Sequence, residues 1–221
     1  MKITKNLIKK IEAEAKEYFK KASGCHDWTH VERVRALALK IGRKEKADLG
    51  ILELAALLHD ICKTDELRHR GKFCHAEKGA LVGDRILKKY KADKKIRSKV
   101  THCIIAHRYR NEHKPKTIEA KILSDADKLD AIGAVGVARD FVAAGFINTP
   151  VLYTGTEEKL AKGNRSRSYT KADTAILEYE VKLKYLKNKM YTRTGKKIAN
   201  DRHIYMEKFF KRFWQEVRAE K

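Results

Sequence analysis

Apolar residues recur along this chain at intervals of three and four, with charged residues filling the gaps. Ile8, Ile11, Ala15 and Phe19 mark a first amphipathic helix, because residues at that spacing share one helical face. Val31, Val34, Leu37, Ala38 and Ile41 mark a second, predicted to be capped by Asp27 and to end at Gly42. The stretch from Ala47 to about Ile61 predicts a third, almost wholly apolar in its latter half, as a central helix should be. Ala76–Leu87, Lys95–His107, Ile118–Leu129 and Ala131–Phe141 predict four more. Only Pro115 and Pro150 interrupt the pattern, and no segment alternates with the period of two that marks a half-buried strand. The expected fold class is all-α.

After Pro150 the character changes. Gly155–Tyr169 is polar, basic and weakly periodic, which predicts a loop. Ala172–Met190 and Gly195–Arg218 predict two long helices, with Ile198, Met206, Phe209, Phe210 and Trp214 on their apolar faces. The expected organisation is a helical core over residues 1–150. A basic loop and C-terminal helices packing on that core occupy residues 151–221.

At 221 residues, the length fits one fairly large domain or a domain with an appendage, and 43% apolar residues suffice for a core. Charges break every apolar run before it reaches membrane-spanning length, and Met1–Lys5 lacks the apolar segment of a signal peptide. A cytoplasmic protein with no membrane partner is expected. Cys25, Cys62, Cys74 and Cys103 show no CxxC spacing, which favours reduced thiols over disulfides. The charge is one-sided: 51 Lys+Arg against 29 Asp+Glu, a formal +22. Two readings stand. One is a surface that attracts nucleic acid, nucleotides or anionic membranes, and the other is a lysine-rich proteome. Charge alone names no reaction.

The candidate chemistry lies in a dispersed set of histidines and aspartates: His30, His59-Asp60 and Asp127. Imidazole with carboxylate suits Mn, Fe, Co, Ni or Zn, and such ions activate water. A polar pair closing an apolar helix, as His59-Asp60 does, is costly to bury without a partner. A lone histidine is more often a core or cap residue; several in matched contexts weaken that reading. His26-Asp27 is a second His-Asp dipeptide, but it opens a helix, so Asp27 reads as an N-cap. His26 lies one turn before His30, where it is placed to meet a substrate phosphate from the same cleft. Asp125, Asp127 and Asp130 compete for the last carboxylate position; the latter two share a helical face.

The ordered set His30…His59-Asp60…Asp127 resembles the HD-domain metal-dependent phosphohydrolases. His-Asp-Trp-Thr-His (26–30), Leu-Leu-His-Asp-Ile-Cys-Lys (57–63) and Asp-Ala-Asp-Lys-Leu-Asp-Ala-Ile-Gly (125–133) are similar to small bacterial and archaeal HD hydrolases. That branch includes nucleotide pyrophosphohydrolases. The resemblance runs on into Met190–Ala199 and Arg202-His203. It implies a helical HD core with His30, His59, Asp60 and Asp127 as ligands of one divalent transition metal, manganese among the candidates. Asp127 is selected because the family's last ligand precedes a basic residue and Leu, here Lys128-Leu129; Asp130 is left as a hydrogen-bonding support. Lys63 is implied as a catalytic group that neutralises phosphate charge. His75 and His107 are implied as ligands of a second metal or contacts to phosphate, although the adjacent His-His pair of some binuclear members is absent near His107.

Arg108 and Arg110 follow His107 as phosphate clamps or as a solvated basic turn, and Asp65 and Glu66 stand one turn beyond the His-Asp pair, where either orients water or both solvate a loop. Lys159, Lys162, Arg165 and Arg167 make Gly155–Tyr169 either a lid over an anionic substrate or a solvated linker. His102 reads as structural, and Gly133 and Gly136 as close-packing positions rather than a phosphate cradle. The implied reaction is hydrolysis of a phosphoester or phosphoanhydride in a nucleotide or other phosphorylated small molecule. Pyrophosphohydrolysis of nucleoside triphosphates comes first. The competing reading is a non-catalytic HD scaffold that holds RNA or a signalling nucleotide on its basic surface.

Overall fold

The structure, a computed structural model, describes residues 3–20, 22, 24–69, 71–108, 112–146, 149, 151–162 and 173–221. Among them there are helices and no strands. The chain divides into two compact units, Met1–Asp127 and Lys128–Lys221, so the change of sequence character near residue 150 falls inside the second unit.

In the first unit α1 (Lys5–Phe19) begins where the Thr4 side chain accepts from the Leu7 amide. Its buried stripe is Leu7, Ile11, Ala15 and Phe19; Ile8, expected in that stripe, is only half-buried. α2 (Trp28–Lys44) starts at Asp27, whose carboxylate accepts from the His30 amide at 3.1 Å, as the capping expectation requires. It runs past Gly42, which is a packing residue and not the stop: a methyl there would collide with Leu52 of the next helix. That helix, α3 (Leu49–Leu58), is shorter than the predicted Ala47–Ile61 because Asp48 caps it by accepting from the Gly50 and Ile51 amides. Leu54, Leu57 and Leu58 are fully buried, each contributing about 1.5–3 kcal/mol, which offsets the cost of the polar pair that follows them. Arg35 of α2 joins Glu12 of α1 and Glu53 of α3, locking the three helices in register.

α4 (Lys63–Arg68) was not predicted, because six residues are too few for periodicity to register. α5 (His75–Lys89) and α6 (Lys94–Ala106) pack on each other and on α3. α7 (Ile118–Asp130) follows; the Ser124 hydroxyl donates to the His107 carbonyl at 2.9 Å, which sets α7 against the end of α6.

In the second unit α8 (Gly133–Phe146) opens on Gly133 at φ +82°, lying against the Arg202 side chain. The basic segment after residue 150, expected as a loop, contains a short helix, α9 (Glu157–Lys162). The expected Ala172–Met190 helix is in fact α10 (Ala175–Val181) followed by a 3-10 helix (Leu183–Lys189). α11 (Arg193–Val217) buries Met206 and Phe210, and Phe210 stacks on Tyr179 with ring centroids 4.0 Å apart.

Candidate metal centre

Five side chains from five helix ends converge around Asp60 in the first unit. His30 stands in the first turn of α2, His75 opens α5, and Asp127 lies in the last turn of α7. His59 and His107 occupy the C-terminal caps of α3 and α6, where the helix dipole is negative and favours a nearby cation. His30, His59, Asp60, His75 and His107 are buried, and Asp127 is partly open.

The two oxygens of Asp60 face different partners. Oδ2 lies 3.3 Å from His26 Nδ1, 3.5 Å from His30 Nε2 and 3.8 Å from His59 Nε2. Oδ1 lies 3.2 Å from His75 Nε2 and 3.5 Å from His107 Nε2. His30 Nε2 also stands 3.2 Å from His59 Nε2 and 3.5 Å from Asp127 Oδ1. Three overlapping groups therefore have metal-ligand spacing: His26 with His30 and Asp60; His30 with His59 and Asp127; and Asp60 with His75 and His107.

Protonation shows that these donors fit a cation. His59 Nδ1 is 2.8 Å from the Ala56 carbonyl and His107 Nδ1 is 2.6 Å from the Ile104 carbonyl. A carbonyl only accepts, so each Nδ1 donates its proton outward and each ring turns its Nε2 inward. Those inward nitrogens face other imidazole nitrogens, at 3.2 Å for His59–His30 and 3.3 Å for His107–His75. Facing donors at about 3 Å match neighbouring ligands on one ion at bond lengths of about 2.0–2.2 Å. Burial pushes the His59 ring down to about 4 and His26 to about 3, so both are neutral near pH 7. Burial opposes ionising Asp60 and Asp127, but the surrounding imidazoles outweigh it and hold both carboxyls below the usual range.

His75 behaves differently. Burial works against its charge, yet the Asp60 carboxylate and the hydrogen bonds to Asp60 and Glu66 push it up to about 9. Glu66 Oε2, almost completely buried, accepts from His75 Nδ1 at 2.8 Å and from Lys63 Nζ at 2.7 Å, while Arg108 Nη1 meets Oε1 at 3.0 Å. Of the two acids considered for orienting water or solvating a loop, Glu66 is buried and gathers Lys63, His75 and Arg108. The sequence signal was the three-residue spacing of Lys63 and Glu66, which puts the two on one helical face.

Other expectations resolve simply. Asp27 caps α2 and takes no place among the metal donors, whereas His26 joins them. Asp130 pairs with Arg139 at 2.9 Å. His102 accepts from the Lys116 amide, a structural role. Arg110, Arg165 and Arg167 lie outside the described residues.

The HD-domain family profile matches residues 27–132, the segment that carries all the assembled donors except His26. The uncharacterised protein YpgQ of Bacillus subtilis is 36% identical over 199 residues, spanning 88% of this chain and 86% of YpgQ. The chain belongs to the HD-domain family. Its structure is similar to the crystal structure of Bacillus subtilis YpgQ in complex with ADP (TM-score 0.73, 30% identity, 95% of this chain and 97% of that one). A second similar structure is an HD-superfamily hydrolase from Bacillus thuringiensis, with TM-score 0.72, 29% identity, and coverage of 97% and 98%. A third is a predicted HD-superfamily hydrolase from an uncultured Thermotogales bacterium, with TM-score 0.65, 29% identity, and coverage of 95% and 92%. Among the described residues, no helix of this HD protein is long and apolar enough to cross a membrane.

Proposed function

We propose that this protein is a divalent-metal phosphohydrolase that cleaves a phosphoanhydride of a nucleotide, splitting nucleoside triphosphates into monophosphate and pyrophosphate. The observation that carries the reading is the two-sided Asp60, one carboxylate shared by two buried imidazole sets. His30, His59, Asp60 and Asp127 would hold one ion, and Asp60, His75 and His107 could hold a second. Bound ions of this kind lower the pKa of a coordinated water and polarise a phosphoryl oxygen.

The chain's own groups supply the rest. Neutral His59 need lose no proton to act as a ligand, and backbone carbonyls hold the Nδ1 protons of His59 and His107 away from the site. Glu66 orients His75 through Nδ1 and brings Lys63 and Arg108 alongside it. That pair of cations offsets the charge gathering on the leaving group. His26, 27% exposed beside Asp60, is the imidazole placed to meet an incoming phosphate. A water oxygen would bond to the α-phosphorus as the α–β bridging P–O bond breaks; the electron pair leaves on pyrophosphate, and the water's protons pass to solvent and the released products. The ADP held by YpgQ supports a nucleotide as substrate class.

The test is metal-stripped protein reloaded with manganese and offered nucleoside tri-, di- and monophosphates, with products resolved by 31P NMR. Monophosphate and pyrophosphate in equal amounts are expected. Orthophosphate as sole product refutes the pyrophosphohydrolase, and no product from any nucleotide, beside salt-sensitive RNA binding, refutes the enzyme.

A further inference from the structure

His26 stands apart from the other donors of the metal centre. It precedes α2, next to the Asp27 cap, and its ring meets that of His30 edge to face with centroids 5.4 Å apart. Its Nδ1 is buried and lies 3.3 Å from Asp60 Oδ2, yet it has no hydrogen-bond partner among the described residues. Buried polar atoms are nearly always satisfied, so an orphan facing a cluster of metal donors points to a missing partner there. A neutral imidazole supplies one: with the proton on Nε2, its Nδ1 offers a lone pair.

Lone pairs also fix how many ions these donors surround. His26 groups with His30 and Asp60, and His30 groups with His59 and Asp127. In both groups His30 presents Nε2, which lies 3.5 Å from Asp60 Oδ2, 3.5 Å from Asp127 Oδ1 and 3.2 Å from His59 Nε2. An imidazole nitrogen has a single lone pair in the ring plane, so it binds one ion. The two groups therefore enclose the same ion. The donors differ in how firmly they are held. The Ala56 carbonyl anchors the His59 ring, and His30 is completely buried. His26 is partly exposed, and among the described residues no hydrogen bond anchors its ring.

We propose that His26 Nδ1 is a fifth ligand of the ion held by His30, His59, Asp60 and Asp127, and that a substrate phosphate oxygen takes its place. The exchange half rests on the phosphohydrolase reading, whereas the ligand half stands on the donors alone. No proton moves: the bond from Nδ1 is given up and one from an anionic oxygen replaces it. An unanchored ring on the open side of the centre is the donor that yields most easily.

Cobalt(II) titrated into the metal-stripped full chain against a competing chelator, without nucleotide, reads the ligand. His26→Ala is expected to weaken the tighter site at least about tenfold. Its visible absorption is expected to move to longer wavelength, because an oxygen donor replaces an imidazole nitrogen. His26→Gln is expected to behave alike, and His102→Ala, outside the donor set, to change neither readout; circular dichroism checks the folding of each. The analogue α,β-methylene ATP, which cannot be split at its α–β bridge, reads the exchange. It is expected to bring the wild-type and His26→Ala spectra together. Nucleotide-free spectra and affinities that match between wild type and both His26 variants overturn the fifth ligand. A spectral difference that persists with the analogue overturns the exchange. Neither readout involves hydrolysis, so their failure is distinct from failure of the pyrophosphohydrolase.

Discussion

In the proposed centre Asp60 would hold the two ligand sets together, because each of its oxygens faces one of them. Asp60→Ala is therefore expected to lose both ions and all hydrolysis, while His59→Ala and His75→Ala each lose one. Metal content after manganese loading and desalting measures this, and two ions retained by Asp60→Ala would falsify the shared-carboxylate arrangement. Glu66 acts through His75, whose ring it orients, so Glu66→Gln is expected to weaken metal binding by about 10–100-fold without abolishing it. A manganese titration of activity reads that shift, and an unchanged titration counts against a positioning role. Asp140 of α8 is a residue-scale liability: it is buried, its Oδ2 lacks a hydrogen-bond partner, and burial followed by the Glu178 charge pushes its pKa well up. An acid raised in the folded state opposes folding once the pH exceeds its unfolded value near 3.8, and the penalty is absent below that. Asp140→Asn is expected to stabilise the protein by about 1–2 kcal/mol near pH 7. Urea unfolding should show that gain vanish as the pH falls towards 3.8.

At the scale of elements, helix ends build the site. A capping residue fixes where a helix starts, and so which side chains its first turn presents. Asp27 does this for α2 by accepting from the amide of His30, a metal-site residue. Asp27→Ala is expected to cost about 1 kcal/mol of stability yet to keep the full metal content, separating it from Asp60. Thermal unfolding and metal analysis on the same sample check both halves, and metal loss with stability intact would make Asp27 a ligand instead. The helices themselves were largely legible, since their apolar stripes are local. Their ends were less so: Gly42 resembles a stop signal, yet it is the point where α2 and α3 approach too closely for a side chain. Similarly, the predicted single helix after residue 172 becomes α10 and a 3-10 helix, a break that apolar spacing alone does not mark.

For the molecule as a whole, the formal charge of +22 matters more to stability than any one surface ion pair. Self-repulsion on that scale is screened once the Debye length falls to about 4 Å or less, near 0.5 M salt. The melting temperature is expected to rise when sodium chloride increases from about 0.05 to 0.5 M, read by differential scanning calorimetry without metal. A falling melting temperature would show that local pairs such as Arg35–Glu12 outweigh the net charge.

The sequence alone determined the all-α class and most of the helices, and it set the four candidate ligands in order, because periodicity and motif order are properties of neighbouring residues. It also named His26, His75, His107, Lys63 and Arg108 as companions of the site. What those companions touch was decided only when helix ends separated by tens of residues met around Asp60. Burial then kept His59 neutral, and its bare nitrogen faced His30. Glu66 likewise acquired its partners only through folding, since His75 and Arg108 reach it from the starts and ends of other helices. The order of the candidate ligands is written along the chain, whereas their protonation and the facing of Asp60 towards both imidazole sets depend on distance and burial, which exist only in the folded protein.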